Sequence, residues 1–293
     1  MPRARIRIGT SGWAYKHWRR VFYPRGLRQR DELAYIAQHF NSVELNGSFY
    51  SLQRPDSYRA WYAQTPADFV FALKGSRFIS HNKKLRDAET PLANFFASGV
   101  LLLKEKLGPI VWQLPERTRF DADRLDRFFS LLPRDTKAAA ALASQHDARV
   151  PEDESWTETD ATRPLRYALE PRSRDFVTRE CIDLLRRHDI ALVAADSGRW
   201  PLFEEVTASF VYLRLHGSPQ TYASQYTDSA LDRWAAAIAA WRSGREPSDA
   251  ARVTELPLPS RRARDVYVYF DNDGFAHAPQ DALRLAERLA RPA

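Results

Sequence analysis

The sequence predicts a single (β/α)8 TIM-type barrel, α/β in class, with a parallel eight-stranded sheet. Three observations predict it. Eight short β-rich runs recur along the 293 residues, and segments of helical periodicity separate them. No Gly-x-Gly-x-x-Gly or Walker sequence follows any of these runs, which removes the usual mark of an open nucleotide-binding sheet. Barrels of about 250 residues routinely fold as one unit, so residues 1–293 are expected to form one domain.

The expected strands are 6–9, 42–45, 69–73, 109–114, 166–169, 191–195, 210–215 and 266–270. The fourth and sixth are nearly continuous apolar runs, as suits a sheet covered on both faces. Among the helices, Leu231, Trp234, Ile238 and Trp241 form one stripe, opened by Thr227 or Asp228 and closed at Gly244. Pro279 suits the first turn of a last helix with Leu283, Ala286 and Leu289 on its buried side. Segments 92–107, 121–132 and 136–146 also read as helices. Two polar or proline-rich stretches, 147–164 and 246–265, read as irregular surface loops.

Composition bounds the function. The formal charge is +7, which fits a polyanion partner such as nucleic acid, but acidic residues are interspersed and no block of like charge forms a binding tail. Only seven of the 44 basic residues are lysines, an arginine bias that genome composition also explains. No run of about 18 uncharged apolar residues is present, so no membrane association is expected. The N-terminal MPRARIRIGTSGW lacks the pattern of a signal peptide, and a cytoplasmic location is expected. Cys181 is the only cysteine and sits in an apolar stripe, which excludes a disulfide framework and favours an inert thiol.

In a parallel barrel, function gathers where the strands end and the βα loops converge. Those ends carry Ser11, Trp13 and Tyr15; Glu44 and Asn46; Lys74 and Arg77; Gln113; Glu170 and Arg172; Asp196; Arg214 and His216; Asp271 and Asn272. Alternation puts Glu44 with Asn46, Glu170 with Arg172, and Arg214 with His216 on common faces. Burying such charges is costly unless they are paired or bound to a ligand. A closed ring of salt bridges plugging the barrel is therefore the structural alternative to a functional site.

Three chemistries compete for this set. Glu44, Glu170, Asp196 and His216 are suitable ligands for a divalent metal, although Lys74, Arg172 and Arg214 would repel one. The same three cations, with Asn46, Gln113 and Asn272, suit a phosphate or carboxylate. Glu170, Asp196 or His216 could instead perform metal-free acid/base work on a sugar-like substrate. Trp13 and Tyr15 would supply a stacking wall, in keeping with the other aromatics crowding the first two βα connections. His81 could reach the mouth from the third loop, though a lone histidine there is more often structural.

The segments IGTSGWAYKHWRRVFYP, FNSVELNGSFY, FALKGSRFISH, LGPIVWQLP, ALEPR, ADS, YLRLHG and YVYFDND, in that order, resemble the YecE-like family, a bacterial and archaeal group of domains of unknown function. The resemblance spans nearly the whole chain and implies a TIM-type barrel without an established reaction. Carried over by position, its motifs include Gly9 to Trp13, Glu44, Asn46, Phe49, Tyr50, Lys74, His81, Gln113, Pro115, Glu170, Arg172, Asp196, Arg214, His216, Gly217 and Asn272. The chain departs from it after Glu-Pro-Arg, where Ser173 to Phe176 replace a stretch that often holds a histidine, and at Asp271, where asparagine is common.

Together these readings lead to a barrel that binds a phosphorylated or otherwise anionic ligand at its mouth, with Glu44, Glu170, Asp196 or His216 available for acid/base, hydrolytic or metal-assisted work. A non-catalytic nucleic-acid-binding protein and a sugar isomerase-like enzyme are the alternatives.

Overall fold

The computed structural model describes residues 4–257 and 263–290. Its eight strands are β1 (Ile6–Thr10), β2 (Ser42–Leu45), β3 (Val70–Lys74), β4 (Leu107–Gln113), β5 (Tyr167–Glu170), β6 (Ile190–Asp196), β7 (Phe210–Leu215) and β8 (Asp265–Phe270). All pair in parallel, in the order β1-β8-β7-β6-β5-β4-β3-β2, so β1 and β2 meet at the seam of a nearly closed barrel.

That seam is closed differently from the other junctions. One bridge joins Ser11 to Glu44, and Gly12 N–H donates to the Glu44 carbonyl at 2.8 Å. Below it the Asn41 side chain substitutes for a ladder, accepting from Ile8 N–H at 2.9 Å and donating to the Ile6 carbonyl at 3.0 Å. The two backbones approach so closely that a Cβ at Gly9 would lie 1.9 Å from the Ser42 carbonyl oxygen, so only glycine fits.

Strand alternation divides the residues into two cores. Val43, Leu73, Ile110, Leu169, Leu192, Leu213 and Val268 pack outward against the helices. Ala72, Val111, Ala168, Val193, Tyr212, Tyr267 and Tyr269 fill the barrel interior. The helical layer comprises α1 (Glu32–His39), α2 (Gly47–Tyr50), α3 (Pro55–Ala63), α4 (Glu89–Ala97), α5 (Ala122–Leu131), α6 (Thr136–Ala143), α7 (Arg179–Arg187), α8 (Asp228–Arg242) and α9 (His277–Ala290), with short 3-10 turns between. In α8 the Thr227 hydroxyl caps Ala230 N–H, and Leu231, Trp234, Ile238 and Trp241 are buried as the stripe requires.

Three local expectations are corrected. The helix expected over 92–107 ends at Ala97, and a separate 3-10 segment follows (Val100–Lys106). Gly99 breaks it: its φ is +110°, and a Cβ there would lie 2.7 Å from Pro55 Cα. In α9 the most buried face is Ala278, Ala282 and Leu285, with Leu283, Ala286 and Leu289 only half-buried beside it. The helix expected over 136–146 stops at Ala143.

The two expected loops are irregular where described, apart from one 3-10 turn at Glu152–Glu154 and Asp265, which already belongs to β8. The second is tied down by the buried Glu205, whose carboxylate accepts from Val253 N–H, Thr254 N–H and Arg186. Its residues 258–262 lie outside the described ones. Cys181 is buried in α7, and burial pushes its thiol up to about 12, as an inert core residue requires.

Candidate functional site

Because Phe210, Tyr212, Arg214 and His216 alternate on the inner face of β7, the strand carries two aromatic rings, then a guanidinium, then an imidazole towards the C-terminal mouth. Arg214 is fully buried and is the hub. Its Nε and Nη2 donate to Glu44 at 2.8 to 3.1 Å, Nη1 donates to Glu170 at 2.7 Å, and Nη2 also reaches Asp271 and Ser11 at 2.9 Å each. Glu44 is saturated further by hydroxyls, one from Tyr212 at 2.6 Å and one from Ser11. Arg172 Nε donates to the other Glu170 oxygen at 2.9 Å.

The electrostatics follow from this geometry. Burial works against the charge on Glu170, but Arg214 and Arg172 outweigh it and hold the carboxyl well below its usual range. Burial likewise opposes ionisation of Asp271, yet Arg214 and His216 bring it to about 2. Burial also disfavours the Arg214 charge, and Glu170, Glu44 and Asp271 reverse that, leaving the guanidinium permanently protonated. His216 completes the cluster, with Nδ1 3.0 Å from Asp271 Oδ2 and Nε2 3.6 Å from Glu170 Oε1.

One inward position further along the strands lies a layer that is less completely paired. Lys74 is only 7% exposed and has no carboxylate within ion-pair distance among the described residues. Its ammonium instead sits 4.1 Å from the centre of the Phe49 ring. Burial first, and then Arg214, lower its pKa to about 8 against a partial pull from Glu170, Asp271 and Glu44. His81 lies in a π-helical turn (Phe78–Asn82), its Nδ1 2.9 Å from the Ser80 hydroxyl and its Nε2 3.5 Å from the Gln113 amide. Burial, Arg77 and Lys74 lower it to about 4.

The rim is aromatic. Arg172 lies 3.7 Å from the centre of the Trp200 ring and 3.4 Å from the Tyr222 hydroxyl. Tyr15 donates to the Ser11 carbonyl at 2.6 Å, Asn46 Nδ2 donates to the Ser11 hydroxyl at 3.1 Å, and Trp13 is half-buried edge-on to Trp61.

Thus Ser11, Tyr15, Glu44, Asn46, Lys74, His81, Gln113, Glu170, Arg172, Arg214 and His216 converge, whereas four sequence candidates stand apart. Arg77 is exposed and acts on the site only through its charge on His81, and Trp13 packs sideways onto α3. Asp196 and Asn272 were expected at the mouth and face the helical layer instead. Asp196 accepts from the Trp234 indole at 3.1 Å, and Asn272 donates to Asp281 of α9 at 2.9 Å. Each is one residue out of phase with the inward set of its own strand, Val193 and Ala195 on β6 and Tyr267 and Tyr269 on β8. The same phase makes Asp271 the inward residue, which alternation from Tyr269 reveals. Trp200 and Tyr222 come from irregular segments without a periodic signal.

Among the described residues no group of three or more His, Cys, Asp or Glu side chains is arranged to hold a metal ion. Of the four considered for that role, Asp196 points elsewhere, and Arg214 occupies the space between Glu44 and Glu170.

A parallel barrel whose mouth is built around a buried arginine hub defines the structural class, and comparison with known proteins gives the family. The chain belongs to the family described as "Protein of unknown function DUF72", which matches residues 7–293. It is 34% identical over 110 residues to UPF0759 protein YecE of Escherichia coli (strain K12), and 26% identical over 115 residues to UPF0759 protein YunF of Bacillus subtilis (strain 168). These alignments cover 38% of this chain and 38% and 40% of the two relatives, so the chain spans about two-fifths of the curated relatives it matches. A DUF72 family protein from Thermotoga maritima MSB8 superposes with a TM-score of 0.73 at 22% identity, over 98% of this chain and 100% of that one. One from Enterococcus faecalis V583 gives 0.69 at 16% identity, over 98% and 96%. Both likenesses bear on the fold. Among the described residues no helix is long and apolar enough to cross a membrane.

Proposed function

We propose that the mouth binds a small anionic ligand, a phosphate or carboxylate, with Lys74 as the group that meets its charge. The observation that carries this reading is the contrast between two buried cations. Arg214 is fully occupied by Glu44, Glu170 and Asp271, whereas Lys74 is almost as deeply buried and has no carboxylate partner among the described residues. An uncompensated buried ammonium is costly, and an incoming anion removes that cost. Asn46 and Gln113 would supply amide contacts beside it, and Arg172, stacked on Trp200, a second positive edge. His216 beside Asp271 is the group suited to moving a proton, so hydrolysis of an ester of the bound anion is the reaction we assign.

Calorimetric titration with inorganic phosphate, a sugar phosphate and a nucleoside monophosphate tests the reading. The Lys74-dependent component of binding should be lost in Lys74→Met with the fold retained, and addition or chelation of divalent metal should leave it unchanged. A folded Lys74→Met variant that binds every ligand as wild type does would overturn it.

A second reading, single-stranded nucleic acid, is favoured by a groove of about 290 Å³ just outside the mouth. Tyr50, 74% exposed, and Phe78, 41% exposed, line it, and Arg149 lies 5.5 Å over the Phe78 ring. Arg77, Lys84 and Arg86 are exposed on the same connection. Exposed rings among cations suit stacked bases and a phosphate backbone. Affinity that falls steeply with salt and is insensitive to Lys74→Met would select this reading over the first.

A further inference from the structure

The opposite, N-terminal pole of the barrel is built unlike an ordinary barrel floor. Such floors are normally filled by branched apolar side chains. Here the first inward position of β1 is Arg7, and it stands in register with Tyr267 of β8. A cavity of about 530 Å³ opens at this pole and is lined by Arg5, Arg7, Arg163, Arg166 and Tyr267, among others.

The acids that also line it are largely committed. Asp265 accepts from Arg166 at 2.7 Å and from the Arg5 backbone N–H at 2.8 Å. Glu105 accepts from the Tyr62 hydroxyl at 2.7 Å, and Asp68 is exposed at the edge.

Arg7 itself is only 6% exposed, yet no carboxylate lies within ion-pair distance of it among the described residues. A guanidinium carries five N–H donors. Among the described residues only Nη1 of Arg7 is used, donating to the Asp68 carbonyl at 2.7 Å and the Asn41 carbonyl at 3.5 Å. The Nε and Nη2 edge has no protein partner among the described residues. That edge is the one whose parallel N–H groups match the two oxygens of a carboxylate or phosphate. Nη1 fixes the fork in place, so little rotamer freedom remains to be lost on binding.

We infer that the N-terminal pole is a second anion site, separate from the mouth, in which Arg7 presents its Nε and Nη2 edge to a carboxylate or phosphate and Arg166 and Arg5 supply the surrounding positive field. The inference is independent of the reading given to Lys74.

The test uses the full chain carrying Lys74→Met, which silences the mouth, titrated with inorganic phosphate and with acetate by calorimetry. Saturable binding of either anion is expected, and the tighter of the two names the ligand class. Arg7→Lys in that background keeps the charge and removes the fork, so affinity should fall at least about tenfold. Absence of saturable binding in the Lys74→Met chain overturns the inference, as does unchanged affinity in a folded Arg7→Lys chain. Should Arg7→Lys not fold, crystals of the Lys74→Met chain soaked in tungstate decide the matter: anomalous density against the Arg7 Nε and Nη2 edge supports the site, and its absence there overturns it.

Discussion

Arg214 and Glu44 are 170 positions apart in the chain and meet in the barrel as a fork, the guanidinium Nε and Nη2 donating to the carboxylate while Tyr212 and Ser11 cap its oxygens. Breaking a buried pair from one side leaves an uncompensated charge. Glu44→Gln is therefore expected to lower stability by about 3–5 kcal/mol, measured by denaturant unfolding. A variant as stable as wild type would show that Glu170 and Asp271 alone neutralise Arg214.

The Lys74 amine titrates at about 8 in the folded chain, against an ordinary value of 10.5. Below pH 8 both states are protonated, and the folded state bears the whole cost of the buried charge. Between pH 8 and 10.5 the folded state loses this proton first, so the Lys74 contribution to stability rises with pH, by up to about 3 kcal/mol. Wild type minus Lys74→Met, compared by unfolding across that window, should show the rise. Anion affinity at the mouth should move the opposite way, falling above pH 8 as the ammonium is lost.

His81 is lowered to about 4 by burial, Arg77 and Lys74. Its imidazole should remain neutral from pH 8 down to pH 5, and its ring carbon-bound proton resonances should titrate only near pH 4. A midpoint near 6.5 would mean that the ring is more open to solvent, and the two cations further from it, than the structure places them.

Asp196→Ala removes the acceptor of the Trp234 indole N–H. It should cost about 1–2 kcal/mol of stability and leave ligand affinity at the mouth unchanged, because the side chain faces α8. A loss of affinity without loss of stability would return Asp196 to the site.

The strands were legible because apolar, β-branched runs and their spacing are local properties, and all eight fall within a few residues of where the sequence puts them. The site was legible as a set of strand-end residues and less so in its phase. Asp196 and Asn272 are strand-end residues one step out of phase, and applying the two-residue period from Tyr267 and Tyr269 would have replaced Asn272 with Asp271. What no local pattern carries is the pairing. That Arg214 consumes three carboxylates while Lys74 receives none among the described residues depends on how closure brings β2, β5, β7 and β8 together. Likewise the break at Gly99 reflects the close approach of Pro55, far away in sequence.

Seven of the eight strand junctions are parallel ladders, one of them, β3 to β4, with a register shift between Phe71 and Leu73, and the eighth, between β1 and β2, is a clasp made of one bridge and the Asn41 side chain. A hoop opens first at its clasp, so β1 and β2 amides near the seam should be the first of the barrel to exchange with solvent. The bridge runs through Ser11 and Glu44, whose side chains also hold Arg214. The girth of the barrel and the charge balance of its mouth are thereby fastened by the same two residues.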